Sequence, residues 1–420
     1  MKYKKIEKDN YEIYYYNTND FKSINITTIL VDDFDKNNIT LDNFISNYLL
    51  RTNNTYKDEI SMNKKYLDLY SPRYSIFETY NRYHFKFYDI TFLNEKYVEK
   101  GNNKKIIDFY FDIMFNPNAK NNEFDKEITS LIIDNMKSEY KLMSESPNRN
   151  AHNKALSLIS EDFSLKYDSR GKKSDLKKIN TKDAYNYYLN ELNNSKYIVF
   201  ITGEVDDNLI ELITSHLDKK VNKRDLSIKT ISEVKPVKKV KTKEEITENN
   251  QSIIYLLYKI PNMTARERDI VLPLLNDILG GSSAKLFNNV REKHSLAYYA
   301  YSYFYRVFSY LYIYAGIDSK NYDKALKIIF EEVDNMKKGN ISNDEIKNAI
   351  KELESSISSK EEHYYRIVND MILNVLFDKP STDEILKEIN TVTKKEIVEL
   401  ANKLELDVNF LLRGVTHEDN

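Results

Sequence analysis

Residues Leu279 to Tyr301 read LGGSSAKLFNNVREKHSLAYYAY, a stretch in which a glycine turn joins an apolar helical run to a second helix and then to a strand. Gly280 and Gly281 are two of only eight glycines in the 420 residues, and they end the apolar run that starts at Ile270. A glycine pair at this place predicts a helix end followed by a turn with positive φ. We therefore expect a sharp reversal of the chain between two helices.

The second helix is expected to begin at Ser282 or Ser283, because serine is a favoured N-cap. Its apolar residues share one face, and a strand rich in aromatic residues follows: Leu286, Phe287 and Val290, then Leu296 to Tyr303. This arrangement would let Arg291, near the end of the helix, and Tyr298, on the strand, face one cleft. Each residue also has an ordinary explanation, since a cation favours a helix C-terminus and a tyrosine favours a strand.

A weak internal repeat divides the chain into two halves. The hexapeptide LKKINT at 176–181 returns as LKEINT at 386–391, an offset of 210 residues. Each copy is followed by an amphipathic helix and then by an apolar strand that ends in glycine, Tyr197–Gly203 in one half and Val408–Gly414 in the other. The Asn-Thr pair is a good start for the helix in both copies. The chain is therefore expected to consist of two homologous domains.

We place the first domain at residues 1–217, an interdomain linker at 218–249 and the second domain at 250–420. Lysines crowd around Pro236 in the linker: Lys235, Lys238, Lys239, Lys241 and Lys243. Glu244 and Glu245 partly neutralise this charge, so a solvated linker is favoured over a basic ligand-binding strip.

Each domain is expected to be of the α+β class, with a mainly antiparallel β-sheet and helices packed on one face. Tyr11–Tyr16 and Ser23–Val31 alternate aromatic or β-branched residues with polar ones, which predicts an opening hairpin. Residues 83–88 place His84 and Lys86 between aromatic residues, as in a half-buried strand. Apolar periodicity predicts the main helices: Leu41–Arg51, Lys104–Phe115, Glu123–Met143, Tyr322–Met336 and Asn343–Phe377.

Composition excludes several classes of protein. With 63 Lys and Arg against 65 Asp and Glu, the formal net charge is −2, so no long-range field favours nucleic acid or an anionic membrane. The absence of cysteine excludes disulfides and thiolate ligands. Residues Met1 to Asp20 contain no apolar run typical of a signal peptide, and no apolar stretch reaches transmembrane length. We expect a cytoplasmic protein.

The stretch from Leu279 to Tyr301 resembles, as a whole, the C-terminal domain signature of the insulinase-like (pitrilysin) metallopeptidase superfamily. The motifs Leu-Gly-Gly, Leu-Phe, Arg-Glu-Lys and Leu-Ala-Tyr recur in that family in this order. One departure is His294-Ser295, where many members have a basic residue and glycine. The resemblance implies that Arg291 and Tyr298 are substrate-binding residues, which hold a peptide against the zinc site of another domain.

Active members of this superfamily carry His-x-x-Glu-His on the first helix, where two histidines bind zinc and the glutamate activates water. Alignment on that helix places Phe44-Ile45-Ser46-Asn47-Tyr48 at the motif, and no histidine precedes His84. Phenylalanine cannot bind zinc, and asparagine cannot serve as a base. Where a later zinc glutamate is expected the sequence is apolar, although Glu127 and Asp134 flank the position. We therefore assign no catalytic residue and no metal ligand to this chain.

The six histidines are too far apart in sequence to form a local ligand pair: His84, His152, His216, His294, His363 and His417. His363 follows Glu361 and Glu362, but these neighbours are expected on a solvated helix face. A site assembled from distant histidines stays open as an alternative.

Loss of the zinc motif with Arg291 and Tyr298 kept resembles the inactive subunit of a two-subunit peptidase. Among bacterial members the chain resembles the YfmF (also YmfF) group, which lacks the zinc helix. The resemblance implies a chain without a cofactor of its own that binds peptide and completes the chamber of a zinc-bearing homologue. Two alternatives stay open: a non-proteolytic scaffold or peptide-binding homodimer, and a peptidase with an atypical metal site.

Overall fold

A computed structural model of the chain describes residues 3–248, 251–282, 284–358 and 364–415. These residues form two compact units, each with its own sheet. Unit 1 combines residues 1–141, 168–229 and 361–376, and unit 2 combines residues 142–167, 230–360 and 377–420. The fold is α+β, as the sequence predicted.

The sheet of unit 1 has six strands: β1 (Lys4–Glu7), β2 (Tyr11–Asn17), β3 (Ser23–Asp33), β4 (Arg73–Tyr80), β5 (Tyr83–Leu93) and β8 (Lys196–Gly203). Their order is β1-β2-β8-β3-β5-β4, with β2 and β8 parallel and the other neighbours antiparallel. A two-stranded ribbon adds β6 (Ala119–Lys120) and β7 (Glu123–Phe124).

Seven helices accompany this sheet: α1 (Ile39–Arg51), α2 (Glu59–Asp68), α3 (Asn102–Phe115), α4 (Lys126–Ser144), α6 (Thr181–Asn194), α7 (Asp207–Leu217) and α11 (Tyr364–Phe377). The apolar faces of α1, α2, α3, α4, α6 and α7 and the inner face of the sheet share one hydrophobic core. Asn180 caps α6 by accepting a hydrogen bond from the backbone N–H of Asp183, which confirms the predicted Asn-Thr helix start.

The sheet of unit 2 has five strands: β9 (Lys241–Thr247), β10 (Ser252–Lys259), β11 (Ala297–Tyr305), β12 (Tyr310–Ile317) and β13 (Glu405–Gly414). Their order is β11-β12-β10-β13-β9, with β13 and β9 parallel and the other neighbours antiparallel. The order repeats that of β4-β5-β3-β8-β2 in unit 1, including the parallel pair. The sheets thus have the common plan that the internal repeat predicted.

The helices of unit 2 are α5 (Pro147–Ser157), α8 (Leu272–Gly280), α9 (Tyr322–Lys338), α10 (Asn343–Ser358), α12 (Thr382–Ile389) and α13 (Lys394–Asn402). Most pack on one face of the sheet in a single core. Helix α5 packs on the other face through Ala151, Ala155 and Leu156, which join a second cluster with residues of β10 and β13. No described helix is both long and apolar enough to cross a bilayer.

Several expectations differ from the structure. Strands β2 and β3 do not form a hairpin, because β8 lies between them and pairs with both. The segment predicted as a linker contains β9, whose backbone pairs with β13, and residues 142–167 belong to unit 2 although they precede the linker. The predicted helix Asn343–Phe377 is two helices, α10 and α11, and His363 lies outside the described residues.

The glycine pair also acts differently from the prediction. Gly281 has a φ of −68°, and neither glycine belongs to the positive-φ residues of the chain. A Cβ atom on Gly280 would lie 2.2 Å from the backbone nitrogen of Ser302 on β11. Gly280 is therefore required for the close approach of α8 to β11 rather than for a left-handed turn.

Candidate functional site

Helix α1 places the residues that align with the zinc motif in the core of unit 1. Phe44 and Tyr48 lie one helical turn apart and are both 0% exposed. The ring centroid of Tyr48 is 4.2 Å from that of Phe124 on β7, and Phe44 contacts the same ring edge-on. The Tyr48 hydroxyl donates to the carbonyl of Asn118 at 2.5 Å and accepts from the backbone N–H of Asp125 at 2.8 Å. These positions are filled by aromatic packing.

The residues at these positions do not fit the zinc ion that the resemblance implies for active members. Phe44 has no donor atom, and the Tyr48 hydroxyl is already engaged on both sides. Asn47 donates its amide to the carbonyl of Asn43 at 2.9 Å. On α4, Glu127 and Asp134 are both exposed, and Asp134 pairs with Lys137 at 2.9 Å. The aligned helix therefore cannot supply the family's metal site.

Beside the aromatic residues, unit 1 contains a cluster of five buried ionisable residues, which we call the charge cluster: Asp42, Glu78, His84, Lys86 and Glu191. They come from α1, β4, β5 and α6, and each side chain is at most 5% exposed. Three carboxylates thus face two basic groups in a region without bulk water. Such a group is stable only if its charges compensate one another.

His84 and Lys86 are the centre of the charge cluster. The His84 Nε2 atom contacts the Glu78 carboxylate and lies 3.9 Å from Asp42 Oδ2, while its Nδ1 atom lies 3.8 Å from Glu191 Oε1. The Lys86 ammonium donates to Glu191 Oε2 and lies 3.8 Å from Glu78 Oε1. Each basic group is therefore shared between carboxylates of different elements, which ties α6 to β4 and β5.

Hydroxyl groups complete the hydrogen bonds of the carboxylates. Tyr187 donates to Asp42 Oδ1 at 2.7 Å, and Tyr80 donates to Asp42 Oδ2 at 3.2 Å. Ser46 of α1, which is itself buried, donates to Glu78. Glu191 Oε1 is the exception, because this buried oxygen has no hydrogen-bond partner.

The surroundings shift the acid–base equilibria of the charge cluster. Burial raises the pKa of Asp42 to about 7 although the charge of His84 opposes the rise. Burial alone would lower the pKa of His84, but the Asp42 and Glu78 carboxylates raise it to about 9. Burial would also raise the pKa of Glu78, and Lys86 and His84 hold it below its usual range instead. At neutral pH the two bases are therefore charged.

Four members of the charge cluster are of types that bind metal ions, and three of these form a compact group. Asp42, His84 and Glu191 can each offer one ligand atom, and these atoms lie within 4.8 Å of one another. The alternative that the sequence left open was a site assembled from distant histidines, whereas this group has one histidine and two carboxylates. His84 and Lys86 were expected on the open face of a half-buried strand, yet residues 83–88 are all buried. The sequence feature that could have indicated this group is a pair of basic residues on β5, together with Glu78 on the preceding strand and Glu191 on an amphipathic helix.

The other histidines that the structure describes do not join this group. His216 pairs with Asp108 at 2.9 Å, and His152 contacts the Tyr305 hydroxyl at 3.0 Å in unit 2. His294 is exposed, and His417, like His363 and Ser283, lies outside the described residues.

Arg291 and Tyr298, which were predicted to bind substrate, are both accessible in unit 2. Arg291 lies in a π-helical turn, Phe287–Glu292, with its guanidinium 4.8 Å from the centroid of the Phe287 ring. Tyr298 is 59% exposed at a β-bulge of β11, and its hydroxyl donates to Asp318 at 3.0 Å. This hydrogen bond to Asp318 raises the pKa of Tyr298. Each side chain contacts a different neighbour, so their joint role stays a prediction.

Comparison with known proteins agrees with the resemblance seen in the sequence. The family profile described as "Peptidase M16 inactive domain" matches residues 178–353. The "Probable inactive metalloprotease YmfF" of Bacillus subtilis is 24% identical over 412 residues, covering 94% of each chain. The "Uncharacterized zinc protease YmxG" of the same organism is 25% identical, covering 71% of this chain and 72% of its own.

The fold has a close structural counterpart. A conserved protein from Enterococcus faecalis V583 superposes with a TM-score of 0.91 at 22% identity, with 99% of both chains covered. The profile match, the relatives and the aromatic residues at the zinc-motif positions point to one conclusion. Residues 178–353 are similar to the inactive domain of M16 peptidases, and the chain over nearly its whole length resembles the probable inactive metalloprotease YmfF.

Proposed function

We propose that the chain is the substrate-binding or chamber-completing subunit of a zinc metallopeptidase heterodimer. The observation that supports this proposal most strongly is a difference between the two units. In unit 1 the zinc-motif positions are core aromatic residues, Phe44 and Tyr48, whereas in unit 2 the two signature residues are accessible to a ligand. A chain that can hold peptide but cannot hydrolyse it requires a zinc-bearing partner. The similarity to YmxG, whose name describes a zinc protease, supports a homologous partner.

Arg291 would meet a carbonyl or carboxylate oxygen of the bound peptide. Its side chain is 43% exposed, and its nearest acidic group, Glu292, is 3.7 Å away at the surface. The guanidinium is thus held on the Phe287 ring without a buried salt bridge, and its N–H groups can donate charge-assisted hydrogen bonds. The Tyr298 hydroxyl would donate a hydrogen bond to the peptide instead of to Asp318.

The test combines the purified chain with a zinc-bearing homologue and measures hydrolysis of a fluorogenic peptide. We expect the mixture to exceed the activity of the homologue alone, and Arg291→Ala to reduce this gain by about 10-fold or more if one charged hydrogen bond is lost. Lys293→Ala, which removes an exposed cation two residues away, is the control. Normal assembly and full activity with Arg291→Ala would contradict the assigned role.

Tyr298→Phe tests the second residue in the same assay. The variant keeps the ring and removes only the hydroxyl, so we expect normal folding and a raised KM. Tyr303→Phe alters another exposed tyrosine of β11 and serves as the control. A chain that alone forms a stable, peptide-holding dimer and never stimulates a homologue would favour the scaffold alternative.

The group Asp42, His84 and Glu191 is the observation that favours an atypical metal site. Two features weigh against a metal ion there in the native chain. Lys86 already supplies a cation within the charge cluster, and all of its side chains are shielded from solvent, so that a substrate could not reach a bound metal. Metal analysis of the isolated chain decides between these hypotheses.

A further inference from the structure

The charge cluster has the composition of a metal site with one lysine added. Asp42, His84 and Glu191 offer two oxygen ligands and one nitrogen ligand, a set that suits zinc and related divalent ions. The three residues come from α1, β5 and α6, so the fold itself brings them together. None of the three is one of the zinc-motif positions 44–48, although Ser46 of that segment donates to Glu78 in the charge cluster.

An unpaired oxygen points into this group. Glu191 Oε1 is buried without a hydrogen-bond partner and lies 3.8 Å from His84 Nδ1. Burying a carboxylate oxygen without a hydrogen-bond donor costs free energy, and a bound cation would compensate for the missing donor. The second oxygen of the same carboxylate accepts from Lys86, whose side chain is 0% exposed.

Lys86 supplies the positive charge that such a group needs. Lys86 and His84 together face three carboxylates, those of Asp42, Glu78 and Glu191. Without Lys86, the carboxylates would be compensated by His84 alone. The resulting excess of negative charge in a dry interior would attract a divalent cation.

We propose that the Lys86 ammonium takes the structural place of a divalent metal ion, and that Asp42, His84 and Glu191 form a latent metal site that Lys86 keeps closed. The native chain then binds no metal there, and its α1, β5 and α6 are held together by an internal cation. Removal of the ammonium frees Glu191 to move towards His84. Ligand atoms of a tetrahedral zinc site lie roughly 3.4 Å apart, so the group must contract by about 1 Å.

The test uses the full chain with Lys86→Met, which keeps an unbranched apolar stem and removes the charge. We expect this variant to lose thermal stability without metal, to bind one Zn²⁺ per chain, and to regain stability when Zn²⁺ is added. At free Zn²⁺ roughly 100 times the Kd, its Tm should rise by about 5 °C or more. Wild-type protein should show neither bound zinc nor a shift in Tm.

Two controls separate a specific site from general effects of zinc. Lys86→Met combined with His84→Gln removes a ligand and should abolish the rescue. Lys259→Met removes the other deeply buried lysine, which pairs with Glu161 in unit 2 but has no histidine in its ion pair, and should show no rescue. Mg²⁺, which prefers six oxygen ligands, should be a poor substitute for Zn²⁺.

The proposal is overturned if zinc fails to stabilise Lys86→Met, if rescue persists without His84, or if the wild-type chain binds zinc in the charge cluster. Should Lys86→Met not fold, Lys86→Gln, which can still donate to Glu191, takes its place. Should neither variant fold in buffer, refolding with and without Zn²⁺ decides the matter. Folding that depends on zinc supports the latent site, and failure under both conditions contradicts it.

Discussion

The Tyr48 ring lies against the Phe124 ring with their centroids 4.2 Å apart, at a position that the alignment on α1 matches to a zinc ligand of active insulinase-like peptidases. The Tyr48 hydroxyl joins two backbone segments by accepting from Asp125 and donating to Asn118. Tyr48 is thus part of the core of unit 1, and its substitution should affect stability.

Tyr48→Phe should lower the free energy of unfolding by about 1–3 kcal/mol. The ring packing is kept, but the carbonyl of Asn118 and the N–H of Asp125 lose their partner in a buried place. Urea denaturation followed by circular dichroism measures the change. Tyr97→Phe, at a tyrosine that is 52% exposed, is the control and should change stability by less than about 0.5 kcal/mol. Equal stability of Tyr48→Phe and wild type would refute the structural role of the hydroxyl.

Stability should fall as pH rises from about 4 to 9, because two groups of the charge cluster bind protons more tightly in the folded state. The pKa of Asp42 is raised by burial from 3.8 to about 7, so its contribution is present below pH 3.8 and lost as pH rises through 7. The carboxylates raise the pKa of His84, against burial, from 6.5 to about 9, so its contribution of about 3 kcal/mol is present below pH 6.5 and lost through pH 9.

Asp42→Asn should flatten this dependence, since it removes one titrating group and the carboxylate that raises the pKa of His84 most. Unfolding free energies measured between pH 4 and pH 9 provide the test. Asp134→Asn, at an exposed acid of the same unit, should leave the slope as in wild type. A slope that Asp42→Asn does not change would show that the charge cluster does not control the pH dependence.

Gly280→Ala should destabilise unit 2 by about 1–3 kcal/mol through overpacking. The added Cβ would lie 2.2 Å from the Ser302 backbone nitrogen and 2.4 Å from its Oγ atom. Ser302 is paired with Ile313 of β12, so its backbone cannot move away without disturbing that pairing. Thermal unfolding of the full chain measures the loss. An alanine tolerated without any shift in Tm would contradict the close approach of α8 to β11.

The sequence predicted the fold well where the pattern was local or repeated. The first Leu-Lys-x-Ile-Asn-Thr segment and the apolar strands Tyr197–Gly203 and Val408–Gly414 lie where capping and periodicity placed them. The second copy was predicted wrongly, because Asn390 ends α12 and Thr393 is the N-cap of α13. The sequence did not predict the strand order, which depends on pairing between segments that are far apart in the chain. The insertion of β8 between β2 and β3 depends on a strand about 170 residues later, and no local signal in Tyr11–Val31 distinguishes it from a hairpin.

The candidate site, like the fold, could be predicted from the sequence only in part. The loss of zinc ligands at Phe44 and Tyr48 could be predicted, because it concerns residue identity at one helix. The charge cluster could not, since its five members are spread from Asp42 to Glu191 and meet only after β4, β5 and α6 have packed. An alternation of His84 and Lys86 with aromatic residues usually indicates a face open to water, and here carboxylates cover that face.

The proposed function requires that this chain lack peptidase activity of its own, and the most direct measurement is on the purified chain alone. Zinc content and hydrolysis of a peptide library are determined together, with and without a chelator. The account predicts no stoichiometric zinc and no chelator-sensitive cleavage. One zinc per chain with cleavage that the chelator abolishes would contradict it.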